Sequence, residues 1–184
     1  QTARSVSDRT DAKKAILVVS FGTSYDTTRK VTIDAIEKEI ADAYPDYQIY
    51  RAWTSKMILA KLKRRDNIHY DNVKEAFERM IADGITDVIV QPTHVINGIE
   101  NDIMTEEALS YNSHFSTIRF GTPLLTSMDD NNYIIDAIHH EFSDLSQDEV
   151  LVLMGHGTTH YANAIYAALD YMFKEKGCPN IFLG

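Results

Sequence analysis

Residues 151–166 read LVLMGHGTTHYANAIY. An apolar run of strand length, Val150 to Met154, meets Gly155-His156-Gly157, and a helical pattern begins a few residues later. That order predicts a buried strand whose carboxyl end delivers His156 on a loop. In an open α/β sheet the crevice beyond the strand ends is where ligands bind. Glycine on either side allows a tight bend and lets a ligand come close. His160 follows one helical turn on, so two imidazoles are expected to look into the same space.

The pattern has an echo near the other end. AILVVSFGTS (15–24), a helix and PDYQIYRAW (45–53) resemble VLVLMGHGTT (150–159), a helix and CPNIFLG (178–184). Between them the chain alternates. AILVVSF is a continuous apolar run that suits a central parallel strand, and Gly22-Thr23-Ser24 makes the turn. Asp26 or Thr27 is expected to cap the next helix, in which Ile33, Ile36, Ile40 and Ala43 share a face until Pro45 stops it. Tyr47 to Trp53 reads as a strand. Lys56 to Arg65 and Asn72 to Asp83 read as helices, the second with Val73, Phe77 and Met80 on one face and Gly84 at its end.

Thr86 to Gln91 forms the third strand and leads into PTHVINGIE (92–100), a loop with His94 and Glu100. A helix over about 101–112, a strand from Thr117 to Phe120 and GTPLL (121–125) follow. Asp130 opens a helix with Ile134 or Ile135, Ile138 and Phe142 inward. The opening stretch, a helix from Ala162 to Lys176, a stop at Gly177 and a last strand complete the pattern. Strands alternating with helices at these spacings predict an α/β fold with mainly parallel sheets flanked by helices. The repeat divides it into a polar leader (1–13), an N-terminal lobe (14–125) and a similar C-terminal lobe (126–184). A full copy of the first lobe would continue past Gly184, so the second lobe is expected to be incomplete. The Gln1 start fits a processed leader, a lipoprotein-type linker or an artificial boundary.

Composition narrows the function. With 44% hydrophobic and 24% charged residues in 184, the chain has enough apolar residues for a real core. A net charge of −9 disfavours generic binding to nucleic acid or anionic membranes. No apolar run approaches membrane-spanning length. A single cysteine, Cys178, excludes an internal disulfide and a cysteine-rich metal site, so any metal chemistry must use His and carboxylate. The dinucleotide and nucleoside-triphosphate fingerprints are absent, as is the Gly-x-Ser-x-Gly elbow, so no nucleotide is expected.

His156 is the first candidate, since neutral imidazole suits a metal ligand or proton acceptor near pH 7. His160 either lines the pocket or caps the helix start. His94 and Glu100 lie on the loop after a parallel strand, and a carboxylate with imidazoles suits a divalent transition metal. Glu100 also has a plainer reading, an acid at a helix N-terminus. His69, His114, His139 and His140 read as surface residues, and Lys61, Lys63, Arg64 and Arg65 as a solvated basic face.

These segments together resemble the anaerobic-type sirohydrochlorin cobaltochelatases of cobalamin biosynthesis, which are class II chelatases. The resemblance runs from residue 14 to the end through AILVVSFGTSYDTT, YRAWTSKMILAKLKRRD, QPTHVINGIE, FGTPLL and MGHGTTHYANAIYAALDYM. It implies a two-lobe α/β fold with a tetrapyrrole in the cleft and ATP-independent insertion of Co²⁺ as the substrate metal, with Fe²⁺ or Ni²⁺ as substitutes. By the resemblance, His156 binds the metal and takes pyrrole protons, and Glu100 handles the metal. The macrocycle would meet His94, Ser20, Phe21, Gly22, Thr23, Gly155, Gly157 and His160. Lys56, Arg64 and Arg65 are candidates to meet its carboxylates. Asn101 replaces a tyrosine common in the family, and Tyr161 stands where a second histidine can occur. The family's second catalytic histidine, in a Gly-Asp-His loop, and a further metal-binding glutamate are not within these residues. A second reading is an exported tetrapyrrole or haem carrier with His94 or His156 as axial ligand. The enzyme would be cytoplasmic and the carrier periplasmic, and a homo-oligomer stays open.

Overall fold

The computed structural model describes residues 11–184. The polar leader expected over residues 1–13 therefore lies outside the described residues, apart from its last three. The chain forms two compact units, each with its own core. The first runs to Thr93 and takes in Met104–Gly121; the second comprises His94–Ile103 and Thr122–Gly184. Against a single cut after residue 125, two segments group with the second unit instead: residues 94–103 and 122–125.

The first unit is built on a four-stranded parallel sheet in the order β2-β1-β3-β4. Its strands are β1 (Lys14–Ser20), β2 (Gln48–Trp53), β3 (Asp87–Pro92) and β4 (Thr117–Phe120). Strand β1 pairs with β2 on one side and β3 on the other, so Val18 lies opposite Arg51 and Gln91. Every β1 residue after Lys14 is buried, because both faces of the sheet are covered. On one face Leu17, Val19, Val88 and Val90 pack with Val73, Phe77 and Met80 of α4 (Val73–Ala82) and with Met104 and Ala108. On the other, Ile33, Trp53 and Leu62 form a smaller core with Ile58, Leu59 and Tyr70. The continuous apolar run reads correctly as a strand buried on both sides. Phe77 anchors the larger core, stacked on Tyr111 at 4.9 Å and edge-on to Phe115 at 5.8 Å.

Local chemistry explains where the helices differ from the sequence reading. The helix expected after the first turn is two helices, α1 (Asp26–Val31) and α2 (Ile33–Ala43). Thr32 divides them: its φ of −123° and ψ of −85° are not helical, and its hydroxyl donates to the Thr28 carbonyl at 2.6 Å. Tyr25, not Asp26 or Thr27, is the N-cap of α1, and Asp26 sits in its first turn. The break puts Asp34 at the start of α2, where it pairs with Arg29 and Arg51. Helix α3 (Lys56–Asp66) is capped by the Ser55 hydroxyl, and α4 by an Asn72–Glu75 capping box.

Helix α5 is Ile99–Leu109, two residues earlier at its start than the sequence suggested, which places Glu100 in the first turn. It crosses the division between the units after Ile103.

The second unit holds α6 (Met128–Glu141), α7 (Ala164–Glu175) and a parallel pair, β5 (Leu151–Leu153) with β6 (Ile181–Leu183). Its core is Leu125, Ile135, Leu169, Phe173, Cys178 and Ile181, supported by Ile134, Ile138, Leu151 and Leu153. A Ser127–Asp130 capping box opens α6, so Asp130 is its third residue and not its first. Phe142 was expected inward but is 40% exposed, because α6 ends at Glu141 and Phe142 leaves the helical stripe. The opening stretch also differs. Leu151 and Leu153 pack on the core, whereas Val152 is 66% and Met154 91% exposed. Strand residues alternate sides, and the cluster containing α6 and α7 lies on one face. Among the described residues no helix is long and apolar enough to cross a membrane.

Candidate functional site

Strand order places the first candidate edge. Going from β2 to β3 the chain changes sides of β1, and such a switch point marks the crevice of an open sheet. Ser20 ends β1 there, buried, and its hydroxyl accepts a 2.8 Å hydrogen bond from that of Thr93. The amides of Thr54 and Ser55 donate to the carbonyls of Ser20 and Phe21, pinning the start of α3 beside the loop. Phe21 is 50% exposed. Gly22 has φ +100°, and a β-carbon there would sit 2.7 Å from the Trp53 ring. The backbone that approaches closely at Gly22 does so against Trp53. Thr23 accepts from the Tyr25 amide.

Of the three basic candidates, Arg65 is already engaged, bonding both oxygens of Asp66 and the Ser24 carbonyl. Lys56 opens α3 and Arg64 lies in its last turn.

In the second unit the ladder of β5 and β6 ends where the glycine–histidine loop begins. The Gly155 amide donates to the Gly184 carbonyl at 2.7 Å. The two flanking glycines have different jobs. Gly157 has φ +74°, the left-handed region that favours glycine. Gly155 lacks a positive φ, but a β-carbon on it would lie 3.0 Å from the Tyr166 ring of α7. Close approach here is to the protein's own helix.

His156 is exposed. Its Nδ1 lies 3.0 Å from the Gly157 carbonyl. A carbonyl can only accept, so in the neutral ring Nδ1 carries the proton and Nε2 keeps its lone pair.

His160 is wired the opposite way. Its Nδ1 accepts the Ala162 amide at 3.1 Å, so the neutral ring carries its proton on Nε2, 3.2 Å from an Asp102 oxygen. Both nitrogens are engaged, and its ring lies 4.5 Å from that of Tyr161. Thr158 and Asn163 brace the loop, Thr158 Oγ1 accepting from the His160 amide and Asn163 Oδ1 from the Thr158 amide. Asp102, Thr158 and Asn163 escape a sequence reading. Asp102 lies two residues beyond the glutamate that draws attention, and its partner is in a distant segment.

His94 starts the segment contributed to the second unit. The His94 and Val95 carbonyls accept the Leu124 and Leu125 amides, and Ile96 bridges Leu125. Neither His94 nitrogen has a hydrogen-bond partner among the described residues, and both are buried. Burial holds the imidazole below the ordinary histidine pKa, an effect only partly offset by the nearby Glu100 carboxylate. Glu100 itself is exposed in the first turn of α5, where the helix dipole favours an acid. Asn101 donates to Asn97 at 2.8 Å.

One His/carboxylate cluster among the described residues has ligand atoms within 4.8 Å of one another, and it lies elsewhere: His69, Asp71 and Glu75. Its acids have other partners, Asp71 a bidentate Arg79 and Glu75 the α4 cap. No such group among the described residues includes His156, His94 or Glu100. His114, His139 and His140 are exposed, in keeping with surface roles.

The profile of a family described as Cobalt chelatase (CbiK) matches residues 14–184. This chain belongs to that cobalt chelatase family. It is 41% identical over 167 residues to the sirohydrochlorin cobaltochelatase of Salmonella typhimurium, an alignment covering 91% of this chain and 63% of that protein. It is also 29% identical over 175 residues to the sirohydrochlorin cobaltochelatase CbiKC of Nitratidesulfovibrio vulgaris, covering 94% of this chain and 61% of that one. The chain therefore spans a little over three fifths of the length of these relatives. Membership agrees with the parallel α/β architecture and with the resemblance carried by the sequence motifs.

Proposed function

We propose that this chain provides the His156 face of a cobaltochelatase that inserts Co²⁺ into sirohydrochlorin, or a related precorrin, without ATP. One observation carries the reading: His156 is held in the tautomer that leaves Nε2 unprotonated on an exposed loop at a strand end. Family membership and the two named relatives supply the substrate class.

The chemistry asks for such a nitrogen. Replacing two pyrrole N–H protons by a divalent ion requires a base near the macrocycle and a ligand that replaces water on the metal. The His156 Nε2 can do either in turn, and the hydrogen bond through Nδ1 raises its basicity. Glu100, exposed at the start of α5, is a second acceptor for metal or proton. His94, neutral and buried, adds no positive charge against the incoming ion. Gly155, Gly157 and His160 shape the His156 loop, and Ser20, Phe21, Gly22 and Thr23 form the corresponding strand-end loop of the first unit. The polycarboxylate substrate must find local positive charge on a protein of net charge −9; Lys56 and Arg64 are the candidates.

The test follows free-base sirohydrochlorin by absorption as Co²⁺ is added. Wild type should lose the free-base spectrum, and His156→Ala should lose that activity by at least about a hundredfold, as for other groups that act on the proton in transit. Unchanged turnover in His156→Ala removes the histidine from the mechanism. A tetrapyrrole that binds but is never metallated would instead favour a carrier, with haem as the alternative ligand.

A further inference from the structure

We propose that Asp102 and His160 form a positioning pair that fixes the loop bearing His156 against the first turn of α5, which bears Glu100. This rests on the reading of His156 and Glu100 as metal-handling groups. Neither partner is required to touch metal or macrocycle.

Three observations support it. The pair joins two segments that are far apart in sequence and belong to one unit. Its chemistry is complementary: with Nδ1 accepting the Ala162 amide, the neutral His160 ring carries its hydrogen on Nε2, and an Asp102 carboxylate oxygen lies 3.2 Å from that nitrogen. The strand end of the loop is tied to β6 by the Gly155–Gly184 bond. Beyond it, Thr158, Asn163 and the His156–Gly157 contact hold the loop through bonds that span five residues or fewer. The Asp102–His160 contact adds a reference outside the loop at its far end. His160 is well shielded, with its side chain 17% exposed, whereas Asp102 is 56% exposed. The contact is thus anchored on the histidine side and reached from α5.

The test measures Co²⁺ binding by titration calorimetry on wild type, His156→Ala, Asp102→Ala and Asp102→Asn, alongside amide hydrogen exchange over residues 155–160. Asn keeps an acceptor oxygen for the imidazole N–H but loses the charge. If the pair positions the loop, Asp102→Ala should weaken Co²⁺ binding about tenfold, as loss of an outer partner does at metal sites, and Asp102→Asn should restore it to within about twofold. Equal weakening in Asn and Ala would assign Asp102 an electrostatic role and overturn the proposal, as would wild-type affinity in Asp102→Ala. If His156→Ala binds Co²⁺ like wild type, the reading of the site fails on its own, and exchange decides the pair. Exchange of the loop amides about tenfold faster in Asp102→Ala, but not in Asp102→Asn, supports it; unchanged exchange sinks it.

Discussion

The two histidines of the strand-end loop are four residues apart and chemically opposite. His156 holds its proton on Nδ1 against a carbonyl, and His160 holds its own on Nε2 against a carboxylate. Long-range ¹H–¹⁵N spectra of the neutral imidazoles should therefore show both tautomers in one protein; two identical tautomers would contradict the wiring. Glycines on both sides made the strand-end loop that bears His156 legible in the sequence, because Gly-His-Gly after an apolar run marks a tight bend. Asp102 was not legible, since nothing local distinguishes it from any acid in the first turn of a helix. His94 gives a second prediction. Its folded pKa lies below the ordinary 6.5, so the unfolded chain binds the proton more readily. The stability gained from a neutral His94 is complete above about pH 6.5 and is lost as pH falls from there through the depressed folded value. Urea melts between pH 5 and 7.5 should show that loss in wild type and a flatter profile in His94→Gln.

Elements were easier to read than their ends. Strands appear where apolar runs and Gly/Pro punctuation say they should, because burial on both faces leaves no other use for AILVV. The boundary errors have separate causes. Thr32 breaks a helix by satisfying its hydroxyl on the previous turn, and a capping box starts α6 at Ser127 although Asp130 is the more conspicuous residue. Removing that box with Ser127→Ala should cost about 1 kcal/mol in denaturant melts. Two glycines separate strain from crowding. Gly177 has φ +79° with nothing within 4 Å, so Gly177→Ala should cost about 1 kcal/mol from backbone strain alone. Gly22 adds the Trp53 contact to its own positive φ, and overpacking brings roughly 1–3 kcal/mol more. Equal losses for the two alanine variants would mean that the Trp53 ring moves aside freely.

Across the whole molecule, each unit carries its own partnered carboxylate, and acid should act on both. In the first, burial alone would raise Asp34, but hydrogen bonds from Arg29 and Arg51 outweigh it and hold its pKa below 3.8. In the second, Lys174 and the Leu183 amide lower that of Asp170. Carboxylates with depressed folded pKa stabilise the fold above the unfolded value, near 4, and stop doing so as pH falls through the folded one. Asp34→Asn and Asp170→Asn should each be less stable than wild type at pH 7, with the gap closing below about pH 4. A constant gap down to pH 2 would rule out linkage as its origin. The grouping of residues 94–103 with the second unit was not legible in the sequence, because which core a segment joins leaves no mark on its hydropathy. One consequence lies in the optics of the protein. Its single tryptophan, Trp53, is fully buried directly beneath Gly22, so its emission should be blue-shifted. A chromophore absorbing in the near ultraviolet and settling at the Ser20–Thr23 loop would quench that emission by energy transfer, giving a label-free signal of arrival before any metal is added.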